Sequence, residues 1–231
     1  QVTAATATSL TLKVPTGAVT GNVIVEVGDK TSVGVKFTVP VDNPVPSLTS
    51  LTPPSAVFGS TTVDIQLTGT GFRSDSTVQY DGTSVTVSFV DSTLLLVTVS
   101  GSQLDPAVHK IKVTNPTPGG GESNELEFTV GFPVPTISSL TPATAEIPDP
   151  IEVKIVGTGF TTSSTVLLNS QSVGGTLVSE TEMKATLSST AVGASLVSVS
   201  NPSPGGGESN PATFLFTEPP IGFVVVISVT T

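Results

Sequence analysis

Residues 115–124 read NPTPGGGESN and residues 201–210 read NPSPGGGESN, one ten-residue phrase with a single Thr/Ser exchange, at an offset of 201 − 115 = 86. Repetition at a near-constant step constrains architecture strongly, because each copy must be one folding unit. Two other phrases keep the step. Pro46–Pro53 (PSLTSLTP) returns as Pro135–Pro142 (PTISSLTP), 89 residues on, and Gly69–Phe72 (GTGF) returns as Gly157–Phe160, 88 on. The chain therefore carries one module at least twice, and a unit of roughly ninety residues can bury a small core of its own.

The module is all-β. Val, Thr and Ile fill short alternating runs, as half-buried strands require, and no stretch keeps a helical period. Strands are expected at 47–51, 62–68, 77–80, 84–90, 94–99, 109–114 and 125–130, with a turn at Asp81-Gly82. The second copy repeats them at 136–140, 152–156, 165–168, 175–178, 182–187, 196–200 and 212–216. Seven short strands with turn signals between them read as a sandwich or barrel. The period-two pattern puts Val63, Ile65, Leu67, Ile111, Val113, Leu126 and Phe128 on the core face. Prolines cluster at 40–46 (PVDNPVP), 131–135 (GFPVP) and 218–220 (EPP), where they stop strands and stiffen the joints, so a rod of modules with limited bending is expected.

The ordered set of P-x-[IL]-x-S-L-T-P, G-T-G-F and N-P-x-P-G-G-G-E-S-N ahead of a Phe strand resembles the IPT/TIG domain. The resemblance implies an immunoglobulin-like sandwich and covers nearly all of 46–217. Residues 1–39 resemble the later strands of a third copy, through Ser9–Pro15, Gly21–Val27 and Gly34–Val39, without its opening strands or the GGGESN phrase. The domain reading is a partial module at 1–39, a joint at 40–45, a module at 46–130, a joint at 131–134, a module at 135–217 and an extension at 218–231. A chain starting at Gln1 fits either a cleaved leader or a fragment of a longer protein.

The two ends invite a joint reading. A sandwich without its first strands bares backbone and core, which favours association. At the other end Ile221, Phe223, Val224, Val225, Val226, Ile227 and Val229 form a segment apolar on both faces, with no module of its own to join. One reading is strand addition: the tail of one copy enters the open half-module of the next, and a head-to-tail contact that does not close makes a filament. The other is that both ends belong to a longer repeat protein and that 221–231 begins its next domain.

Little in the sequence points to catalysis. His109 is the one histidine and there is no cysteine, which excludes thiolate zinc and disulfides and leaves no Ser/His/Asp set. Gly119, Gly120, Gly121 and their copies Gly205, Gly206, Gly207 lack the Lys and following helix of a phosphate loop, so they read as turns between strands. No D-x-D-x-D-G run marks a calcium loop; a calcium assembled from separate loops stays open. The net charge of −10 and the scattered Lys and Arg argue against nucleic acid. The apolar run 221–229 is too short for a helix to span a bilayer. Neither Asn115 nor Asn201 is a glycosylation site, since Pro follows each.

The expectation is a non-catalytic structural or adhesive repeat protein at or outside the cell surface of a bacterium or archaeon, needing no cofactor. Its partners would be copies of itself or neighbouring modules of a longer chain, together with a surface or glycan ligand. The alternative is an accessory carbohydrate-binding or spacer region of a secreted polysaccharide-acting enzyme.

Overall fold

The computed structural model describes residues 2–220, and the two repeats are two immunoglobulin-like β-sandwich modules in tandem. The first uses β7 (Ser47–Thr52), β8 (Ser55–Val57), β9 (Thr62–Thr70), β10 (Thr77–Tyr80), β11 (Thr83–Asp91), β12 (Leu94–Ser100), β13 (Ala107–Asn115), β14 (Gly121–Glu122) and β15 (Leu126–Gly131). Ahead of them, residues 2–39 form β1 (Val2–Ala5), β2 (Leu10–Leu12), β3 (Gly21–Val23), β4 (Glu26–Val27), β5 (Lys30–Thr31) and β6 (Val35–Phe37).

In the first module the strand order is β7-β9-β12-β11-β10-β13-β15-β8, with β14 on β13. The long β11 pairs with β10 on one side and β12 on the other, so a single strand serves both layers. Between the layers lies the core. Ile65 and Leu67 of β9 stand opposite Val97 and Leu95 of β12, and they meet Ile111 and Val113 of β13 and Phe128 and Val130 of β15. Burying a side chain of this size stabilises by about 1.5–3 kcal/mol each. Of the seven core positions expected from alternation, five are fully buried and Val63 and Leu126 are half-buried at its edge.

The second module repeats this with β16 (Thr136–Thr141), β17 (Thr144–Glu146), β18 (Ile151–Thr158), β19 (Thr165–Leu168), β20 (Gln171–Ser172), β21 (Thr176–Ser179), β22 (Glu182–Leu187), β23 (Gly193–Asn201), β24 (Gly207–Glu208) and β25 (Ala212–Thr217). Here the layers are separate: β16-β18-β22-β21 faces β17-β25-β23-β19-β20. The difference has a local cause. Where β11 runs on through Ser84–Val90, the second copy has Gly174-Gly175, with Gly174 at φ +76, and the strand breaks into β20 and β21. Short β8 and β17 were not expected from the sequence; each lies parallel to the last strand of its module, β15 and β25.

The G-T-G-F phrase has a packing reason. Gly69 sits where β7 crosses β9: a Cβ there would run into the Ser47 carbonyl and the Phe72 ring, and Gly157 faces Thr136 and Phe160 in the same way. The glycine lets the first strand lie close, and the phenylalanine, almost fully buried, covers the space beneath.

Tyr80 is the chain's one tyrosine and there is no tryptophan, so ultraviolet-excited emission reports on the first module alone. Gly69→Ala is expected to cost that module about 1–3 kcal/mol by overpacking. Each kcal/mol corresponds to a fall of about 4–8 °C in the Tyr80-detected melting temperature for a domain of this size. Gly157→Ala should leave the Tyr80 transition where it is; equal effects of the two would contradict the assignment.

Candidate assembly surface and intermodule joints

The repeated NPxPGGGESN phrase, expected to be a turn, is a turn and also a clamp. Its Asn opens the clamp. Asn115 Nδ2 donates to the carbonyls of Pro44 (2.8 Å) and Gly71 (2.7 Å), and its Oδ1 accepts from the Ser76 hydroxyl. Asn201 does the same with Pro133, Gly159 and Ser164. Buried carbonyls left without donors are costly, so one amide side chain ties three loops together.

The glycines hold the entering chain. The Asn43 N–H donates to the Pro118 carbonyl (2.7 Å) and the Gly120 N–H donates to the Asn43 carbonyl (2.8 Å). Phe132 is gripped identically, by Pro204 (2.8 Å) and Gly206 (2.7 Å). Gly119, Gly120, Gly205 and Gly206 all have φ near +65, where a side chain is strained, and a Cβ on Gly119 or Gly205 would strike the joint backbone. Gly121 and Gly207 begin β14 and β24.

The last two residues of the phrase close it. The Ser123 N–H donates to the Val113 carbonyl (2.8 Å), its Oγ accepts from the Val113 N–H (3.0 Å) and its hydroxyl donates to the Asn124 carbonyl (2.7 Å). Asn124 then grips the first strand from both sides: Oδ1 accepts from the Leu48 N–H (2.9 Å) and Nδ2 donates to the Leu48 carbonyl (3.0 Å). Ser209 and Asn210 repeat every bond, on Val199 and Ile137.

Between the modules the backbone is almost fully used. The Phe58 N–H donates to the Gly131 carbonyl (2.8 Å), and the Phe58 and Phe132 rings meet edge to face at 5.7 Å. Beside them a crevice of about 390 Å³ is walled by Phe58, Pro133, Phe160 and Leu177, with Glu180 its one charged group.

His109 is 3% exposed, on the core face of β13, and its ring stacks on Tyr80 at 4.7 Å. Nδ1 is 2.7 Å from Asp81 Oδ2 and Nε2 is 2.9 Å from the Asp105 carbonyl, so both nitrogens are occupied and neither is offered to a metal or a nucleophile. Asp81, at φ +48 in the turn, also accepts from the Lys110 N–H (2.7 Å). Partial burial works against its charge, but the Lys110 N–H, the His109 ring and the Lys110 ammonium outweigh it and hold the carboxyl below its ordinary range. In the second module Asn169 occupies the same turn at φ +48 and accepts from the Leu196 N–H (2.9 Å). Tyr80 Oη is buried with no partner among the described residues, and burial, with the charges of Asp81 and Asp105, raises its ionisation far above the ordinary phenol.

Residues 2–39 differ from both modules. Their strands join only in pairs, β1 with β2, β3 with β6 and β4 with β5, and none of these residues is buried. Leu10, Leu12, Val23, Ile24, Val25, Val35 and Phe37 are all exposed. The expected tail residues Ile221, Phe223, Val224, Val225, Val226, Ile227 and Val229 lie outside the described residues. Among the described residues no cluster of His, Asp and Glu has the spacing to hold a metal, and no helix is long and apolar enough to cross a membrane.

The IPT/TIG domain model matches residues 46–130 and 135–216. No curated protein matches the chain. Among solved structures, murine CEACAM1b is 16% identical at a TM-score of 0.35, over 75% of this chain and 99% of that one. The plexin A4 full extracellular region is 14% identical at 0.32, over 75% of this chain, which spans only 16% of the plexin. SGBP-B of Bacteroides ovatus, in complex with a mixed-linkage heptasaccharide, is 14% identical at 0.31, over 87% and 53% of the two chains. Each is a remote likeness of fold.

The Asp81 cluster carries a pH dependence of defined sign. A carboxyl held below its unfolded value of about 3.8 contributes stability that is present above that pH and is lost as pH falls through the folded value. Asp81→Asn keeps the backbone bond that Asn169 makes and removes this contribution. Its Tyr80-detected melting temperature should therefore fall less than that of the natural chain between about pH 5 and about pH 2. An unchanged acid profile would contradict the cluster's role.

Proposed function

The chain belongs to the IPT/TIG domain family, and on that premise we propose that it is a non-catalytic structural protein of the cell exterior, whose copies join head to tail. In this reading residues 1–39 are the later strands of a third module. Residues 221–231 of one copy enter that half-module in the next, and the clamped joints make the modules between them a stiff spacer. The observation that carries it is the state of residues 2–39: six strands, seven or more exposed aliphatic and aromatic side chains, and nothing buried.

The physical case is one of supply and demand within a single sequence. Isolated strand pairs are marginal in water, and exposed apolar strand edges take up further strands. The segment 221–229 has Ile, Phe or Val at seven of nine positions, far more than a strand with one wet face needs. The added strand would contribute backbone hydrogen bonds along its length and about 1.5–3 kcal/mol for each large side chain it buries. Ordering costs about 1–2 kcal/mol per residue, so the apolar character on both faces is what tips the balance. The acidic surface keeps the two complete modules apart from one another in solution.

Negative-stain electron microscopy of residues 1–231 beside residues 1–220 tests this. Fibres from the longer chain and none from the shorter are expected, with the Tyr80 melting transition unchanged between them. Monodisperse short particles from both would contradict head-to-tail assembly.

A further inference from the structure

Residues 2–39 contain a copy of the serine link found in both modules. The Ser32 N–H donates to the Val25 carbonyl (2.9 Å), its Oγ accepts from the Val25 N–H (2.9 Å) and its hydroxyl donates to the Val33 carbonyl (3.2 Å). These are the bonds of Ser123 with Val113 and of Ser209 with Val199, so Ser32 aligns the three segments residue by residue. The next residue is Asn124 or Asn210 in the modules, where it grips the first strand. In the amino-terminal segment it is Val33, 89% exposed. An amide suits a strand delivered from the same chain, held backbone to side chain. A valine offers no hydrogen bond and calls for an apolar partner instead.

A second register identifies that partner. Module exits are built alike: the Phe58 N–H donates to Gly131 at the end of the first module, and the Ile147 N–H donates to Thr217 (2.9 Å) at the end of the second. Counting from those carbonyls, Pro133 corresponds to Pro219, and the clamped residue Ile137, four beyond Pro133, corresponds to Phe223. The first module agrees, with Pro44 four residues ahead of clamped Leu48.

We propose that Phe223 of one copy seats against Val33 of the next, so that residues 222–231 take the place that β7 and β16 hold in their own modules. The pairing rests on the head-to-tail reading above and specifies it. Asn is exchanged for Val on one side and Leu or Ile for Phe on the other. The contact becomes wholly apolar where the strand comes from a second copy, and the amide clamp is kept for strands of the same chain. The exchange also separates the two kinds of slot, since a polar clamp is a poor match for a strand apolar on both faces.

The chain has no cysteine, which permits a direct test in the full chain 1–231. Val33→Cys with Phe223→Cys, oxidised mildly and run without reductant, should give a ladder of covalently joined copies. Val33→Cys with Val224→Cys should give at least about fivefold less, because a one-residue slip turns the side chain to the other face. Position 33 is exposed, and the Tyr80 transition checks that both variants fold. Fibres that cross-link through position 224 and not 223, or through neither, would overturn the register while leaving assembly standing. A disulfide closed within a single chain would overturn the assignment to a second copy. A natural chain that forms no fibres would overturn both.

Discussion

Every module of this protein depends on holding its first strand, which arrives through a proline joint, has only one neighbour in the sheet and must lie close to a glycine. Hydrogen bonding along β9 or β18 secures one side of it. The other side has no strand partner, and there Asn124 and Asn210 supply the missing donor and acceptor from a single amide. The same ten-residue phrase that ends in this amide begins with another, Asn115 or Asn201, that fixes the joint carbonyl, and its central glycines bind the joint backbone. One loop thus secures both the entry of the chain into the module and the strand that follows. A buried amide that satisfies several backbone groups is worth more than its bonds singly, because removing it strands each of them.

This also explains which features were legible in the sequence. The repeat, the strands and the core face followed from phrase spacing and period-two alternation, since both are local properties. The clamp was not legible: Asn124 and Leu48 lie 76 residues apart and meet only when the sandwich closes. The glycines read correctly as turns, but what they approach, Asn43 and Phe132, is non-local too. His109 could have been placed better, because positions 109, 111 and 113 share one face and alternation alone puts the ring in the core. The strands β8 and β17 escaped because three residues are too few to show a period, and Gly174-Gly175 was the one local sign that the second module would split a strand the first keeps whole.

The two modules also show how one fold tolerates different chemistry at equivalent points. Asp81 with His109 and Asn169 with Ser195 occupy the same turn, each receiving a backbone N–H from the following strand. The first couples to pH and the second does not, with no change in topology. Substitution of Val33 for the clamping asparagine is a change of the same kind, at the position where the chain meets its next strand. A sandwich made of interchangeable parts can in this way assign one position to internal stability and its counterpart to association.

Amide hydrogen exchange resolved by residue tests the clamp most directly. The account requires the Leu48, Ile137, Gly120 and Gly206 amides to exchange only with opening of their whole module, as slowly as the core amides of Ile65 and Val153. Exchange of these four at the rate of exposed loops, with the core still protected, would show that the repeated phrase is a simple turn and that the first strands are held by sheet pairing alone.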